Sequence, residues 1–588
     1  MEPENDVGDM SAAVSLRGNN SQRDPSYKRR FPAPDSGHSP PLTMSSLPIA
    51  TICLASSFLI SRYYPLTSSL FTTFLVLYGI VFFSRATYAV ILYPHFLSPI
   101  RHLPSPSGGN FFMGHLRDTL SQPSGAPQIT YMRSVPNRGM IRYRGFLNQE
   151  YILLTSLETL KEVMHTRPYT FTKPGGSGFG IGRGSKLRSL PFMEGEEHKH
   201  QRKLMTPAFS YGQIKALVPV FWERSVQLRD KIVQVIAVKE KANCEETVLD
   251  IEEWLSHATL DIVCAAGFGY ECNAIASAPI AGGKAESGPE LAEAYNTIFY
   301  PGGGGMARAF THLSSIFPLL AYIPSHRIRQ VKKAVGVINR VAEKIAKEKA
   351  EVAKTSDPGK GKDILTAMLK SGNCPAEIDS WIGNQVFTFL VAGNETTTTA
   401  LTWAIYFLSL PKHRHMQERL RAEIYSHFPG SLPENVTYEE IESLKYLRNV
   451  MMEVLRLRSP LPLSARQAAH DTTLAGEFVP KGTRIVLALQ AINRSLELWG
   501  EDADEFNPDR WEKQVGSNNA FLTFMSGPRG CIGSLFAKAE VKCLLMAMVG
   551  SFEFEELKGR EVVSGGNVTQ RPIGGMPVRV RKVKWGGE

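Results

Sequence analysis

The sequence predicts a mainly α-helical protein with a small β region, preceded by an N-terminal membrane anchor. From Asn110 onward, most apolar residues recur with the 3.6-residue period of an amphipathic helix, as in Arg327–Glu351. Runs typical of strands are few and short, namely Tyr151–Thr155, Arg484–Leu489 and Val578–Val583. The longest apolar stretches stand before this region, close to the N-terminus. These three observations indicate one large helical domain attached to a membrane.

The composition is that of a globular protein with a large interior. Of its 588 residues, 43% are hydrophobic and 21% are charged. The net charge is +10, but Lys and Arg are spread along the chain without a long basic run, which argues against nucleic acid as a partner. The excess of positive charge is better explained by a solvated surface, an anionic membrane or an acidic partner protein. The seven cysteines are widely spaced and include no C-x-x-C pair, so the sequence predicts neither a disulfide framework nor a zinc site.

The N-terminal part divides into a tail and an anchor. Residues 1–43 are polar and rich in Pro, Ser and Asn, and we interpret them as a disordered polar tail. Residues 44–97 are predicted to form the anchor, with one or two spans. Leu66–Phe83 is long enough to cross a bilayer, whereas Leu47–Ile60 is short for a span, which needs about 17–25 residues. The basic residues of the tail favour its location on the cytoplasmic side of the membrane. If both apolar segments cross the membrane as a hairpin, the tail and the main domain lie on that same side. A single span with a lumenal tail is the alternative.

A short connector precedes the main domain. Residues 98–109 contain three prolines and the pair Gly108–Gly109, which predict a stiff, non-helical segment. Residues 110–588 are then predicted to form one domain, because no internal repeat interrupts them. Within this domain, Gly182–Ser189 stands out as either a loop insertion or a gene-model artefact.

The segment Phe524–Gly533 carries the most specific signal, with the form F-x-x-G-x-R-x-C-x-G. These five fixed positions arise by chance in about one chain in ten thousand. Glycines allow the backbone to curl around the Cys531 sulfur, and nearby N–H groups hold a negative charge on it. The helix-like run Ser534–Met548 follows directly, so its N-terminal dipole favours the thiolate. The alternative is an inert buried cysteine in a glycine turn.

This segment resembles the haem-binding loop of the cytochrome P450 family, and the resemblance extends from roughly Pro104 to the C-terminus. It implies the mainly α fold of that family and haem b as the cofactor. By the resemblance Cys531 is the axial thiolate ligand of the iron, which favours O–O cleavage. Phe524 then packs against the porphyrin, Arg529 pairs with a propionate, and Gly533 completes the loop.

A second motif lies in the predicted helix Gly383–Leu408, with Pro375 before it and Pro411 after it. Glycine and four consecutive threonines form helices poorly, so their presence in an apolar helix indicates a functional site. The segment Ala392–Thr399 resembles the family's A-G-x-D/E-T-T motif, where a local distortion makes room for dioxygen and water. The resemblance implies that Glu395 and Thr396 deliver protons. The alternative is a threonine patch that bonds backbone carbonyls.

Glu453 and Arg456 form an E-x-x-R pair on one face of a predicted helix. Glu418 and Arg421 share the same spacing, and we interpret them as a solvated pair. Further along, Phe506–Trp511 resembles the family's F-x-P-x-R-W element. The resemblance implies that Arg510 joins Glu453 and Arg456 in a buried three-member network behind the haem.

Three further residues are candidates for binding the haem propionates. The segment from Gly195 to Arg202 resembles the family's G-x-x-W-x-x-x-R, with His198 in place of the tryptophan. Arg202 is expected to reach a propionate, and His198 either bonds a propionate or faces solvent. Arg466, which follows the E-x-x-R helix, is implied by the same resemblance.

The sequence therefore predicts a haem-thiolate monooxygenase that inserts one oxygen atom of dioxygen into an apolar small molecule, in secondary or lipid metabolism. A dioxygen-independent isomerase or dehydratase and a non-catalytic haem-binding sensor are the alternatives. The apolar side chains predicted to line the substrate pocket are Phe387, Val391, Ala392, Leu463 and Met576.

The sequence contains no flavin or nicotinamide domain, so the resemblance implies an NADPH-dependent flavoprotein reductase as the electron donor. The basic residues Lys203, Lys538 and Lys542 are candidates for docking this reductase. The resemblance also implies the endoplasmic reticulum membrane, with the catalytic domain facing the cytoplasm.

Overall fold

Twenty helices and four small sheets build the part of the chain that the structure describes. The structure is a computed structural model, and it describes residues 46–63, 69–121, 123–174, 189–243, 246–280, 290–299, 326–354, 362–370, 378–512, 520–560, 562–566 and 569–585. The predicted tail, residues 182–188 and Pro375 lie outside these ranges. The predicted class, mainly α with a small β region, is confirmed.

The helices are α1 Ser46–Tyr63, α2 Leu70–Thr87, α3 Leu116–Leu120, α4 Ala126–Ser134, α5 Leu157–Lys161, α6 Gly195–Met205, α7 Tyr211–Lys241, α8 Ile251–Phe268, α9 Ala274–Ser277, α10 Glu290–Phe299, α11 His326–Lys354, α12 Ile364–Lys370, α13 Ile378–Phe389, α14 Glu395–Ser409, α15 Arg414–His427, α16 Tyr438–Ser443, α17 Lys445–Leu457, α18 Leu489–Asn493, α19 Leu496–Trp499 and α20 Ser534–Ser551. The strands are β1 Met140–Arg144, β2 Glu150–Leu154, β3 Phe171–Thr172, β4 Val248–Asp250, β5 Ser464–Ala468, β6 Thr472–Leu474, β7 Glu477–Val479, β8 Arg484–Leu487, β9 Phe552–Glu556, β10 Ser564–Gly565, β11 Arg571–Pro572 and β12 Pro577–Lys582.

The two apolar segments near the N-terminus form helices α1 and α2, which pack against each other. Helix α2 continues through a π-helical turn, Tyr88–Leu97, so the apolar helix ends later than the predicted Phe83. Among the described residues, Leu70–Leu97 is the one helix long and apolar enough to cross a membrane, judged by length and composition. Ala50–Ser61 is a shorter apolar helix.

The largest sheet has the strand order β1-β2-β8-β5-β3. β2 and β8 are parallel, with Ile152 opposite Ile485, and both side chains are fully buried. Two of the predicted strands, Tyr151–Thr155 and Arg484–Leu489, form this central pair, although β8 ends at Leu487 because Leu489 begins a helix. The third predicted strand, Val578–Val583, is β12, which pairs with β4 and β9.

The main hydrophobic core surrounds helices α7, α8, α14 and α20. Every residue of α20 from Ala539 to Ser551 is buried, as expected for a helix enclosed by others, and α20 packs against α7. α14 crosses α8 and meets α17 and α20. This packing holds the two helices that carry the predicted motifs at fixed positions within one core.

The predicted helix Gly383–Leu408 is longer in the structure, because it begins at Ile378 and ends at Ser409. It consists of α13, a π-helical turn at Leu390–Asn394, and α14. The turn overlaps the first three residues of the motif Ala392–Thr399, which was expected to distort the helix. The Gly393 residue of this turn has no side chain, and a Cβ there would lie 2.7 Å from the Val263 Cγ2 atom. Glycine therefore lets α8 pack directly against the turn.

Candidate active site

The residues before α20 fold into a tight loop that presents the Cys531 thiol. A 3₁₀ turn covers Gly527–Arg529, and the Cys531 N–H donates to the Phe524 carbonyl at 2.8 Å. Gly527 has a φ of +74°, and a Cβ there would collide with the Met164 carbonyl, so the turn requires glycine. Because α20 begins three residues after Cys531, the N-terminus of this helix lies beside the sulfur.

The surroundings of the Cys531 sulfur act on its charge in opposite directions. The thiol opens onto an internal cavity, but protein encloses it, and this burial raises its pKa above the ordinary value. The Gly533 N–H, Arg202 and Lys538 lower the pKa, since each stabilises a negative charge on sulfur. These groups suit a thiolate that a metal ion holds, because coordination deprotonates a cysteine outright.

A cavity of about 370 Å³ lies between the Cys531 loop and the α13–α14 helix. Its walls are mainly apolar, and they include four of the predicted pocket residues, Phe387, Val391, Ala392 and Leu463. The prediction for Met576 is wrong. Its side chain is 1% exposed and packs into the main core, while its N–H donates to Asp250. Thr569 lines the cavity from this part of the chain instead.

Cationic side chains gather at one edge of the cavity. Arg202 and Arg529 line it, together with Lys173, and Arg466 is buried beside them. Burial and the neighbouring Arg466 and Arg529 lower the pKa of Lys173 to about 7. Burial and Arg529 lower the pKa of Arg466 to about 10. Buried positive charges that lower one another's pKa are typical of a site built for an anion.

One carboxylate, that of Glu194, lies among these cations. It forms a two-point ion pair with Arg529, in which Nη1 donates at 3.0 Å, and it accepts the Lys173 N–H at 2.9 Å. Arg529 also stacks on Tyr169, with 4.8 Å from Cζ to the ring centroid. The structure therefore pairs Arg529 with protein, and its contact with a propionate stays a prediction.

Glu194 neutralises only part of the positive charge at this edge of the cavity. The remaining positive charge fits the two negatively charged propionates of haem b. Arg202, Arg466, Lys173 and Arg529 would hold the propionate side of the cofactor, and Cys531 would hold its iron. Phe524 lines the cavity beside the cysteine, as the resemblance implied. No motif in the sequence pointed to Lys173. Its place became visible through the pairing of β3 with β5, where Thr172 lies opposite Gln467 and Lys173 comes next to Arg466.

His198 does not face solvent, because its side chain is buried and lines the cavity. Its Nδ1 atom lies 3.1 Å from the Tyr169 hydroxyl. Burial, together with the positive charge of Arg529 and Lys173, lowers the pKa of His198 to about 4, so the imidazole is neutral at physiological pH. A hydroxyl that donates to Nδ1 leaves the proton on Nε2, which gives His198 one N–H for a propionate.

Glu395 and Thr396 stand at the start of α14, and both line the cavity. The Thr396 hydroxyl donates to the Ala392 carbonyl at 2.7 Å, in the manner of a threonine that bonds its own helix. Glu395 is 7% exposed, and its Oε1 accepts from the Thr569 hydroxyl at 2.6 Å. Burial raises the Glu395 pKa, against the opposing effects of Thr569 and Arg571. The structure thus brings an acid and an alcohol to the same wall.

A comparison with known proteins identifies the family. The sequence model of the cytochrome P450 family matches residues 105–569. This chain belongs to the cytochrome P450 family. Cytochrome P450 monooxygenase FUM15 of Gibberella moniliformis is 36% identical over 576 residues, covering 88% of this chain and 94% of the relative. Cytochrome P450 monooxygenase sphH of Aspergillus fumigatus is 35% identical over 511 residues, covering 83% of this chain and 89% of the relative. The protein is thus an oxidoreductase, and its cofactor is haem b.

In this P450, Glu453 is the centre of a buried ionic network. Its carboxylate accepts from Arg456 at 2.8 and 2.9 Å and from Arg510 at 3.1 Å, and Glu453 and Arg456 are both 0% exposed. Trp511 Nε1 donates to the same carboxylate at 2.9 Å. Arg510 also pairs with Asp502 at 2.8 Å. The three residues named from the E-x-x-R and F-x-P-x-R-W motifs meet here, and Trp511 and Asp502 join them.

The second E-x-x-R sequence of this P450 behaves differently, and its interpretation as a solvated pair is wrong. Glu418 is exposed and pairs with Arg414 at 3.0 Å. Arg421 is partly buried, and its guanidinium donates to the Val549 and Phe552 carbonyls at 3.0 and 2.9 Å. Glu418 and Arg421 therefore have the E-x-x-R spacing but do not pair with each other, because Arg421 turns toward the end of α20.

Proposed function

We propose that this P450 inserts one atom of dioxygen into an apolar small organic molecule and reduces the other atom to water. The observation that supports this best is a single cavity whose walls carry an apolar lining, the Cys531 thiol and the Glu395–Thr396 pair. Haem b, when bound, supplies the dioxygen chemistry at its iron. In view of the relatives' names as monooxygenases, we favour this function over the isomerase and the sensor.

The protein's own residues would act by position and by proton transfer. The apolar wall formed by Phe387, Val391 and Leu463 would orient the substrate. It would also exclude water, because apolar side chains offer a water molecule no hydrogen bond. Thr396 would hold a proton at its hydroxyl, and Glu395 would supply that proton from the same wall. A buried carboxyl with a raised pKa retains a proton nearer to neutral pH than an exposed one, which suits it to this task.

We further propose that the electrons come from an NADPH-dependent flavoprotein reductase that binds near the Cys531 loop. Lys203 is exposed and Lys538 partly exposed, so both remain candidates for this contact. Lys542 is not a candidate, because its side chain is 2% exposed and its Nζ lies 2.5 Å from the Glu442 carboxylate. A buried, paired lysine offers no charge to a partner surface.

One pair of measurements tests the proposed reaction. Candidate terpenoids, fatty acids, polyketides and aromatic compounds would be screened for the absorption change that accompanies loss of the water bound to haem iron. Compounds that bind would then be assayed for consumption of dioxygen and NADPH and for an oxygenated product. Product without dioxygen consumption would indicate the isomerase or dehydratase. Binding without any product, for every compound that binds, would indicate the sensor.

Thr396→Ala is expected to retain haem and substrate binding but to lose most of its product per NADPH consumed. Without the hydroxyl, proton delivery in the cavity is impaired, and a positioned proton donor contributes typically 10²–10⁴-fold. The reducing equivalents would then appear as hydrogen peroxide, which a peroxidase-linked assay measures. Thr396→Ser is the matched control, since it keeps the hydroxyl and should keep most of the coupling. Equal coupling in Thr396→Ala and the native protein would point to water or Thr397 as the donor.

We propose that the protein is held in the endoplasmic reticulum membrane by one or both of α1 and α2, with the catalytic domain on the cytoplasmic side. The apolar helix Leu70–Leu97 supports an anchor. The hairpin arrangement places residues 1–43 in the cytoplasm, and the single-span arrangement places them in the lumen.

The sequon Asn19-Asn20-Ser21 reports which side of the membrane the tail occupies. If the hairpin is correct, Asn19 is expected to carry no glycan in cells, because the glycosylation machinery acts in the lumen. Glycosidase treatment followed by mass measurement would detect a glycan, and Asn19→Gln would assign it. A glycan at Asn19 would eliminate the hairpin. A tail carrying an added, efficiently used sequon is the positive control for a lumenal location.

A further inference from the structure

A buried group of polar side chains joins α8 to the π-helical turn of the α13–α14 helix. Asn394, the last residue of this turn, is fully buried, and so is Thr259 on α8. The Thr259 hydroxyl donates to Asn394 Oδ1 at 2.5 Å. The hydroxyl of Thr398, one turn further along α14, lies 2.7 Å from the Thr259 hydroxyl and 3.1 Å from Asn394 Oδ1. Each side chain thus lies within hydrogen-bond distance of the other two, and we call this group the α8 clamp.

The clamp and the cavity use different residues of the same stretch of helix. Glu395 and Thr396, which follow Asn394 directly, are among the described residues that line the cavity. None of the three clamp residues lines it. The directions of the Glu395 and Thr396 side chains therefore depend on a turn whose last residue is bound to α8.

α8 contacts the turn at two consecutive residues. Thr259 and Val263 are four positions apart on α8 and so share one face of that helix. Val263 packs closely on Gly393, where a Cβ would be only 2.7 Å from its Cγ2 atom. Thr259 bonds the next residue, Asn394. One face of α8 thus holds the turn by van der Waals contact and by a hydrogen bond.

The asparagine of the clamp is not explained by stability alone. Its Nδ2 atom is buried and has no hydrogen-bond partner among the described residues. A buried N–H group without a partner destabilises the folded state. A π-helical turn is itself rare within α-helices and occurs mostly at functional sites. A costly residue inside such a turn is expected where function requires it.

We propose that the α8 clamp holds the π-helical turn in the conformation that directs Glu395 and Thr396 into the cavity. Thr259 and Asn394 are thus positioning residues, which act through their neighbours and do not touch the substrate. The inference rests on the proposed function, in which Glu395 and Thr396 deliver a proton. Proton transfer requires a donor within hydrogen-bond reach of the acceptor, so a turn that moves would deliver protons poorly.

Thr259→Val is expected to loosen the turn while the rest of the protein keeps its structure. Valine has nearly the shape of threonine but no hydroxyl, so Asn394 keeps only Thr398, which belongs to its own helix. The backbone amides of residues 390–398 should exchange with deuterium about 2- to 10-fold faster, the effect of losing one hydrogen bond. Product per NADPH consumed should fall at least about twofold, because the reacting groups are misplaced. The reduced carbon monoxide spectrum should not change.

Hydrogen–deuterium exchange mass spectrometry on the full-length, haem-loaded, substrate-free protein would measure the exchange. Thr402→Val is the matched control, since Thr402 is also fully buried on α14 but its hydroxyl donates to the Thr398 carbonyl of its own helix at 2.8 Å. This variant should match the native protein in exchange and in coupling of NADPH to product. Thr259→Ser keeps the hydroxyl and should restore both properties.

Asn394→Ala tests the clamp from its other side. If Thr259 acts through Asn394, adding Thr259→Val to Asn394→Ala should increase neither the exchange nor the loss of coupling. Additive effects of the two substitutions would overturn the proposal. So would a native exchange rate in Thr259→Val, or native coupling in Thr259→Val while Thr396→Ala is uncoupled.

Failure of the proposed function has a different signature. Full coupling in Thr396→Ala would remove Thr396 as the proton donor. The exchange measurement does not depend on that reaction, so faster exchange in Thr259→Val alone would still support the clamp.

Discussion

Replacing Cys531 with alanine is expected to abolish the red-shifted absorption band that a thiolate-ligated haem gives when it is reduced and exposed to carbon monoxide. Cys531 is the one cysteine among the described residues that line the cavity, so the variant has no other thiolate in this wall. Haem retention should also fall, because the bond to iron is lost while the apolar walls and cations remain. The measurement is a reduced carbon monoxide difference spectrum, together with the haem content after gel filtration.

Cys543→Ala is the matched control for this prediction. Cys543 lies on α20, the helix that follows the Cys531 loop, and it is fully buried in the main core and does not line the cavity. Its removal should lower the free energy of unfolding modestly, by about 1 kcal/mol, since little volume is lost. The band itself should stay. Retention of the band in Cys531→Ala, or its loss in Cys543→Ala alone, would show that the ligand is assigned to the wrong cysteine.

Glu453→Ala is expected to destabilise the protein by about 3–5 kcal/mol, the typical result of removing one partner from a buried ionic network. The substitution leaves the Arg456 guanidinium buried with three backbone carbonyls as its remaining partners. Arg510 keeps Asp502. Because whole domains are stable by only about 5–15 kcal/mol, much of the variant should be unfolded or free of haem. Urea unfolding followed by circular dichroism measures the change.

Glu418→Ala is the matched control, because Glu418 and Arg421 repeat the E-x-x-R spacing. Glu418 is exposed, and its loss should change the free energy of unfolding by less than about 0.5 kcal/mol. Similar losses of unfolding free energy in both variants would mean that burial does not determine how much the Glu453 network stabilises the protein. A loss confined to Glu453→Ala would separate two pairs that the sequence motif alone treats alike.

The sequence by itself determined the features that depend on neighbours along the chain. The loop before α20 follows from glycines at fixed distances from Cys531, and the distortion of the α13–α14 helix follows from Gly393 and the threonines. Long amphipathic or apolar runs also predicted the main helices closely, since their period reports a buried face directly. The five matched positions around Cys531 were specific enough to indicate the family, which the comparison confirmed.

Contacts between distant parts of the chain were decided only by the tertiary structure. Lys173 became a member of the cationic edge through the pairing of β3 with β5, and Thr569 reached Glu395 across 174 positions. Met576 and Lys542 were predicted wrongly, because residue type does not tell whether the fold turns a side chain toward the cavity, the core or the surface.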